Sequence, residues 1–473
     1  MDRPEREKLG RENQQLRENS ERLERENERL RREIEKLKEA LEQALRAAKR
    51  QAAPFSKGEP KEGPKRPGRK PGANYGPKAH REVPKHVDEV VSAKAPRRCP
   101  YCGDAVEVSA TAPQYQSDIP PVRPHTVRFD IELGKCRGCG RAVRGRHPRQ
   151  NSEALGAAGA HIGPRAMALA VHLNKELGLS MGKVSALCET AFGLQLSRGA
   201  VAQVQARVGN KLRPSYAALV EAVGNASVVS PDETGWRVGG HRWWLWAFVS
   251  RLHTVYAIMD GRGFEQATRV LPSDYAGTLA RDGWAPYRSY AHAEHQTCLA
   301  HLLRRCRELI EVSERGAARV PHAVVRILKA ALRLRDRRDA GLVGEHGLKV
   351  ATGRLGTRMD RLLDWRPYYP PNRKLLRHLR TERDALFTFL SDPEVPATNH
   401  HAERAIRPAV VTRKVWGGNR TWNGAHAQQV AASVLRTARQ QRRDPLPMIE
   451  AVLRSPRPVI LPLEGLGPSP PPA

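Results

Sequence analysis

The stretch Ala226-Ser-Val-Val-Ser-Pro-Asp232-Glu-Thr-Gly-Trp236-Arg-Val-Gly-Gly-His-Arg-Trp-Trp-Leu-Trp246-Ala-Phe-Val249 decides the fold class. Its ends are β-branched or aromatic, and turn residues interrupt its middle. Ala226–Val229 reads as a short strand, closed by Ser230 and Pro231, with Asp232 following at once. Arg242–Val249 and His253–Met259 read as further strands, separated by Ser-Arg-Leu. Gly263–Leu271 suggests a helix, and Gly277–Ala280 a short strand followed directly by Arg281-Asp282-Gly283. Strands mixed with helices in this order predict an α/β domain. Asp232 and Asp282 then each follow a strand. Adjacent strand ends in one sheet lie close enough to share an ion.

A third acid stands out by its surroundings. Between His400 and Arg443 there are nine Lys/Arg and one carboxylate, Glu403. Such a lone acid is either paired with an arginine or kept for a cation. It sits in Asn399-His-His-Ala-Glu403-Arg-Ala-Ile-Arg407-Pro408, which reads as a helix start. Asp, Asp and Glu around two Mg²⁺ ions is an arrangement used in phosphoryl transfer on nucleic acid, with Mn²⁺ as an alternative ion. Taken singly, an Asp is more often a turn or capping residue, and Glu233, Asp260 and Asp274 compete for the same role.

N-terminal to this region the chain changes character several times. Leu9, Leu16, Leu23, Leu30 and Leu37 fall seven apart, with Asn13, Ser20, Asn27, Ile34 and Leu41 at the companion positions. This heptad seam predicts a parallel homodimeric coiled coil over residues 1–50, its asparagines fixing register. Glu12 with Arg17, Glu26 with Arg31 and Glu33 with Lys38 would pair across it. The bland alternative is a solvated charged helix. Residues 51–85 form a basic Pro/Gly linker, with nine Lys/Arg against three Glu from Lys57 to Lys85. Lys65, Arg66, Arg69 and Lys70 resemble a minor-groove arm, although a plain charged tether has the same composition.

Residues 86–150 carry Cys99-Pro-Tyr-Cys102-Gly103 and Cys136-Arg-Gly-Cys139-Gly140. Two C-x-x-C-G knuckles supply four thiolates, the closed set of a structural Zn²⁺ ribbon. Each Gly permits the left-handed backbone that a knuckle needs. Residues 151–222 are helical in pattern, with Leu169, Leu173 and Leu177 on one stripe. Ser180 would cap a helix to Ala191, and Ser197, after a turn from Gly193, a second one through Val208. That outline fits a DNA-docking helix-turn-helix and plain packing equally well.

Charge and composition bound the function class. Lys and Arg total 81 against 50 Asp and Glu, a net charge of +31 over 473 residues, enough chain for about three domains. The excess points to a polyanion, nucleic acid or an anionic membrane. No run of 18 apolar residues exists, so a spanning helix is not expected. The start is charged from Asp2 onward, so no signal peptide is expected.

Taken together, Asp232-Glu-Thr-Gly-Trp-Arg-Val, Asp282-Gly-Trp-Ala-Pro-Tyr, Cys298-Leu-Ala-His301-Leu and Asn399-His-His-Ala-Glu403-Arg-Ala-Ile-Arg-Pro resemble the DDE transposases of insertion-sequence family sixty-six. The order of parts is also similar to that family's, over roughly residues 1–445. The resemblance implies a ribonuclease-H-like core over 223–445 with a helical insertion at 302–396 and a Pro-rich tail at 446–473 that matches the family poorly. It implies a bacterial, cytoplasmic, nucleoid-associated enzyme. Such an enzyme binds terminal inverted repeats, cleaves and transfers DNA strands with two Mg²⁺ ions, and draws on accessory proteins of its element. Asp232, Asp282 and Glu403 would be the catalytic acids. Arg404, Arg407, Arg413 and Lys414 would touch phosphates, or form a solvated basic face. Trp416 and Trp422 would close the core or stack on an unpaired base. Cys298 and His301, i and i+3 on a helix, are half of a metal site or a packing pair. The alternatives of another class are a catalytically inactive, transposase-derived DNA-binding protein and a dimeric adaptor for RNA or lipid.

Overall fold

The computed structural model describes residues 80–466, save 160 and 315, together with residues 14–15, 19–20, 22–30 and 33–34 near the N-terminus. The chain divides into two units, Met1–Asp118 and Ile119–Ala473.

In the first unit residues 22–30 are helical (α1), and Leu23 and Leu30 lie about half exposed along it. Leu9, Leu16, Leu37, Asn13 and Leu41 of the heptad seam, and Lys65, Arg66, Arg69 and Lys70 of the linker, lie outside the described residues. The first cysteine knuckle is built as a tight turn. The Gly103 amide bonds to the Cys99 carbonyl (2.9 Å), the Cys99 amide bonds to the Asp104 carbonyl (2.8 Å), and Gly103 has φ +79°.

In the second unit the other knuckle repeats this geometry. Gly140 donates to Cys136 (2.9 Å), Cys136 donates to Arg141 (2.8 Å), and Gly140 has φ +67°. It sits at the tip of an antiparallel hairpin, β1 (Leu133–Lys135) and β2 (Ala142–Arg144).

Helices α2 (Pro164–Lys175), α3 (Met181–Phe192), α4 (Arg198–Lys211) and α5 (Arg213–Gly224) follow. The expected caps form: the Ser180 hydroxyl accepts from the Lys183 amide and Ser197 from Ala200, with Gly193 left-handed between the two helices. Leu173 is buried, but α2 ends at Lys175, so Leu177 leaves the predicted stripe and is exposed.

The central sheet has five strands in the order β5 (Thr254–Met259), β4 (His241–Val249), β3 (Val228–Val238), β6 (Thr278–Arg281) and β7 (Glu294–Thr297). β3, β4 and β5 pair antiparallel; β6 and β7 run parallel to β3. Strand β3 is longer than its sequence suggests. It does not stop at Ser230-Pro231 but runs through Asp232 to Val238, so Asp232 lies within the strand. The local turn signal is overridden by pairing of Ser230–Val238 with the Trp-rich strand β4. Pairing with β6 covers only Val228 and Val229, so the edge at Pro231 has no ladder partner and tolerates a proline. The expected helix over 263–271 contracts to one turn, α6 (Phe264–Ala267).

Period-two alternation along β4 serves two cores. Trp246 and Phe248 stack 5.7 Å apart on the face covered by α2, α4 and α5. Leu245, Ala247 and Val249 face Ala402, Ala405 and Ile406 of helix α12 (His400–Trp416). Edge strand β5 is sealed by α13 (Trp422–Gln440). Gln429 Oε1, Ser433 Oγ and Thr437 Oγ1 accept the amides of Ile258, Tyr256 and Thr254 at 3.0, 2.8 and 3.1 Å. Four helical residues rise about 6 Å and two strand residues about 6.6 Å, so the two repeats stay in step along the edge.

Between β7 and α12, helices α7 (Leu299–Glu311), α8 (Arg319–Asp339), α9 (Glu345–Leu363), α10 (Pro370–Thr381) and α11 (Thr388–Ser391) bury a core of their own around Leu302, Val324, Met359, Leu375 and Phe389. Beyond α13, α14 (Pro445–Arg454) sends Ile449, Val452 and Leu453 into the core shared with α2 and α4. Leu461 and Leu463 are buried there too. The Ser215 hydroxyl accepts the Leu461 amide at 3.0 Å, so residues after 445 are built into the second unit. No helix among the described residues is long and apolar enough to cross a membrane.

Candidate active site

Three elements deliver acids to one place. Asp232 stands mid-strand on β3, Asp282 directly after β6, and Glu403 in the first turn of α12. Asp232 and Asp282 are fixed in similar ways. Asp232 Oδ1 accepts the Glu233 amide and Asp282 Oδ1 the Trp284 amide, both at 2.9 Å. Glu403 is placed by the residue that starts its helix. Asn399 Nδ2 donates to the Pro231 carbonyl at 2.8 Å, which ties the start of α12 to the strand beside Asp232.

The electrostatics follow from that crowding. Burial pushes the Asp232 carboxyl up to about 7, and the charges of Glu233, Asp282 and Glu403 push in the same direction against the Glu233 amide. Glu233 is also raised, by burial and by Asp282. It is held by the Tyr287 hydroxyl, which donates to Glu233 Oε2 at 2.5 Å, and is partly offset by Arg262. Burial, then Glu233, raises the Tyr287 hydroxyl well above its usual range, so it remains a donor. Arg262 lies 3.5 Å from the Trp284 ring centroid and 4.8 Å from that of Trp244. Four carboxylates thus share one half-buried place.

Beside them, Cys298 caps α7 and His301 follows one turn on. His301 Nε2 is 3.6 Å from Glu403 Oε1, and one donor atom from each of Cys298, His301 and Glu403 lies within 4.8 Å of the others. These three residues could hold a metal ion. Burial pushes the Cys298 thiol up, but bonds from the His301 ring, the Asn399 amide and the His301 amide outweigh it, so its pKa is lowered. His301 is raised chiefly by the Cys298 thiol, against burial.

Behind Asp282 lies an ion group in which Arg281 and Glu382 are buried and Arg288 is exposed. Arg281 donates to Glu382 Oε2 at 2.6 Å, and Arg288 to Glu382 Oε1 at 3.1 Å. Arg281 also reaches the Asp282 carbonyl (3.0 Å), so the group braces the end of β6.

The competing acids separate clearly. Glu233 is in the cluster; Asp260 pairs with Arg269 at 3.3 Å, and Asp274 is exposed. Among the expected phosphate contacts, Arg404 and Arg407 are exposed on α12. They line a cleft of about 490 Å³ with Arg436, Glu176 and Val411. Lys414 is exposed further along α12. Arg413 is committed inward instead, donating to the Gly235 carbonyl and to Thr234 Oγ1 (3.3 Å). Trp416 closes the core edge-on to Trp236 at 6.0 Å; Trp422 lies tilted on Trp243 at 5.1 Å and is half exposed. Sequence reading passed over Tyr287, Arg262 and Glu382. Tyr287 stood inside a quoted motif, but nothing local tells that its hydroxyl reaches an acid 54 positions away.

A family model described as Transposase IS66 family matches residues 159–427, more than half of the chain. The chain belongs to this family. The matched span contains the three acids and the Cys298/His301 pair. The heptads, the linker and both cysteine knuckles lie before it. The chain is also similar to the Uncharacterized protein y4qI of Sinorhizobium fredii (strain NBRC 101917 / NGR234), with 26% identity over 295 residues. That alignment covers 55% of this chain and 53% of the other protein, so the chain spans about half the length of the curated relative it matches.

Proposed function

We propose that this IS66-family protein is the DNA transposase of an insertion sequence: it binds the terminal inverted repeats, cleaves DNA strands there and joins them to target DNA. The observation that carries this reading is the convergence of Asp232 on β3, Asp282 after β6 and Glu403 at the start of α12, close enough that burial and the neighbouring carboxylates raise the Asp232 carboxyl. A site so short of positive charge, with oxygen donors from Asp232, Asp282 and Glu403, fits Mg²⁺ or Mn²⁺, which favour carboxylate and water ligands. The strand order β5-β4-β3-β6-β7, antiparallel then parallel, supports a ribonuclease-H-like core.

In this reading Asp232, Asp282 and Glu403 would hold two Mg²⁺ ions, whose Lewis acidity would favour attack by water or a 3′-hydroxyl and departure of the leaving oxygen. The chain's own contribution is pre-organisation. Backbone amides fix Asp232 and Asp282, Asn399 fixes Glu403 against β3, and Tyr287 holds Glu233 aside. Arg404, Arg407 and Lys414 contact phosphates of the bound strand, and Lys65, Arg66, Arg69 and Lys70 bind the backbone more loosely. Each cysteine knuckle offers two thiolates that would suit structural Zn²⁺, and its positive-φ glycine fits that role. The heptads form the homodimer, accessory proteins of the element assist, and the enzyme works in the bacterial cytoplasm at the nucleoid.

Mn²⁺ binding followed by electron paramagnetic resonance tests the assignment. Wild type binds Mn²⁺ at the carboxylate site, and Asp282→Asn loses that binding and cleavage together while keeping its melting behaviour. Undiminished Mn²⁺ binding by Asp282→Asn would remove Asp282 from the ligand set.

A further inference from the structure

We propose that Cys298, His301 and Glu403 form a second, chemically distinct metal site, one for a thiolate-seeking transition metal of the Zn²⁺ type, and that filling it draws Glu403 away from the carboxylates around Asp232. The site stands on its own geometry; only the withdrawal of Glu403 rests on the reading of that residue as the third catalytic acid.

The donor set differs from that of the carboxylate cluster. Sulfur, imidazole nitrogen and carboxylate oxygen together are the ligands of Zn²⁺ and its neighbours, whereas Mg²⁺ avoids sulfur. One donor atom from each residue already lies within 4.8 Å of the other two. Zn–N and Zn–O bonds of about 2.0–2.1 Å at tetrahedral angles put donors roughly 3.3 Å apart. His301 Nε2 and Glu403 Oε1 stand 3.6 Å apart, a few tenths of an ångström from that spacing.

The sulfur is dressed as a metal thiolate is. In the two knuckles Cys99 takes hydrogen bonds from the backbone of Tyr101 and Cys102, and Cys136 from that of Gly138 and Cys139. Cys298 repeats this with the backbone of His301, at the same i to i+3 spacing, and with the Asn399 amide at 3.2 Å. Amide bonds of this kind orient a ligand and favour the thiolate. Cys298 is further fixed by its own amide, which donates to the Arg281 carbonyl at 2.8 Å. The access is right as well. Cys298 is buried at 2% exposure, while the side chains of His301 and Glu403 are each 40% exposed, so an ion can enter from solvent and settle on the sulfur. Binding releases the thiol proton to solvent. Three protein ligands leave a fourth position for water.

The test uses the full chain, with zinc content measured by inductively coupled plasma mass spectrometry after equilibration in Mg²⁺ buffer containing micromolar Zn²⁺. Wild type is expected to retain about one more zinc per chain than Cys298→Ser or His301→Gln, beyond what the knuckles hold. Titration with Co²⁺ should give a thiolate-to-cobalt absorption band that both variants lose. Asp232→Asn lies outside the donor set and should keep the extra ion while losing cleavage, so this site and the catalytic reading fail separately. Zinc should inhibit Mg²⁺-dependent cleavage by wild type at a concentration roughly tenfold lower than for whichever of the two variants still cleaves. Equal zinc content in wild type, Cys298→Ser and His301→Gln would overturn the site. Retention of the extra zinc by Glu403→Gln would overturn the participation of Glu403.

Discussion

The Asn399 side chain donates from Nδ2 to the carbonyl of Pro231 at 2.8 Å, across 168 positions of sequence. Asn399 immediately precedes α12, which carries Glu403; Pro231 immediately precedes Asp232. One buried hydrogen bond therefore sets the separation of two of the three proposed catalytic acids. Asn399 does not touch the reacting atoms; it positions a residue that does.

Asn399→Ala should cost about 1–3 kcal/mol of stability, because the buried Pro231 carbonyl loses its donor. It should also cut cleavage by roughly 10–100-fold through misplacement of Glu403. Thermal melts and cleavage assays on the same preparation separate the two effects. Asn399→Asp should not restore activity, since Oδ cannot donate to the carbonyl when ionised. Wild-type cleavage by Asn399→Ala at a temperature where it is folded would remove the positioning role.

Asp232 trades stability for function. Its carboxyl titrates at about 7 in the folded chain against an ordinary 3.8, so between those values the folded state holds a proton that the unfolded state has lost. The metal-free protein should therefore lose stability as pH rises from about 4 to about 7. Asp232→Asn should flatten that slope, raise the melting temperature at neutral pH and abolish cleavage. Melting temperatures measured from pH 4.5 to 8 without divalent ions check this; a slope unchanged in the variant would contradict it.

How much of this was legible in the sequence depended on whether the signal was local. Ser180 and Ser197 announced their helices because a cap needs only the next turn. Gly103 and Gly140 announced left-handed knuckles for the same reason. The start of α12 at Asn399 and the separate fate of each acidic competitor divide differently. The helix start was readable, whereas the pairing of Asp260 with Arg269 was not. The sequence predicts a shorter β3 because Ser230-Pro231 is a genuine turn signal, and only pairing with β4 overrules it. Strand β7, Glu-His-Gln-Thr, carries no alternation and was not seen; it exists because β6 offers it a parallel edge. Arg413 looked like a phosphate ligand until Gly235 and Thr234 claimed it.

Glu382 is fully buried between Arg281 and Arg288. Removing it leaves the buried Arg281 charge without its partner, so Glu382→Ala should destabilise the chain by about 3–5 kcal/mol. Urea unfolding gives the number. The double variant Arg281→Met with Glu382→Leu should recover much of the loss, because an apolar pair costs less than a lone charge.

Lys175 is buried against Trp416, its amine 5.5 Å from the ring centroid, and burial lowers its pKa from 10.5 to about 7. Here the unfolded chain binds a proton that the folded one has released, so stability should rise with pH between about 7 and 10.5. Lys175→Met should raise the melting temperature at pH 7 and remove most of that rise. Denaturation curves at pH 7, 8.5 and 10 decide it.

Cleavage of a supercoiled plasmid carrying the DNA at the element boundary, in Mg²⁺, by wild type and by Glu403→Gln tests the central claim most directly. Glutamine keeps the shape of the side chain and removes the charge a cation needs. Wild type should nick at the boundary, and Glu403→Gln should bind the same DNA with unchanged affinity and not cut it. Equal cutting by both would show that Glu403 holds no catalytic ion, and the acids gathered around Asp232 would need another purpose.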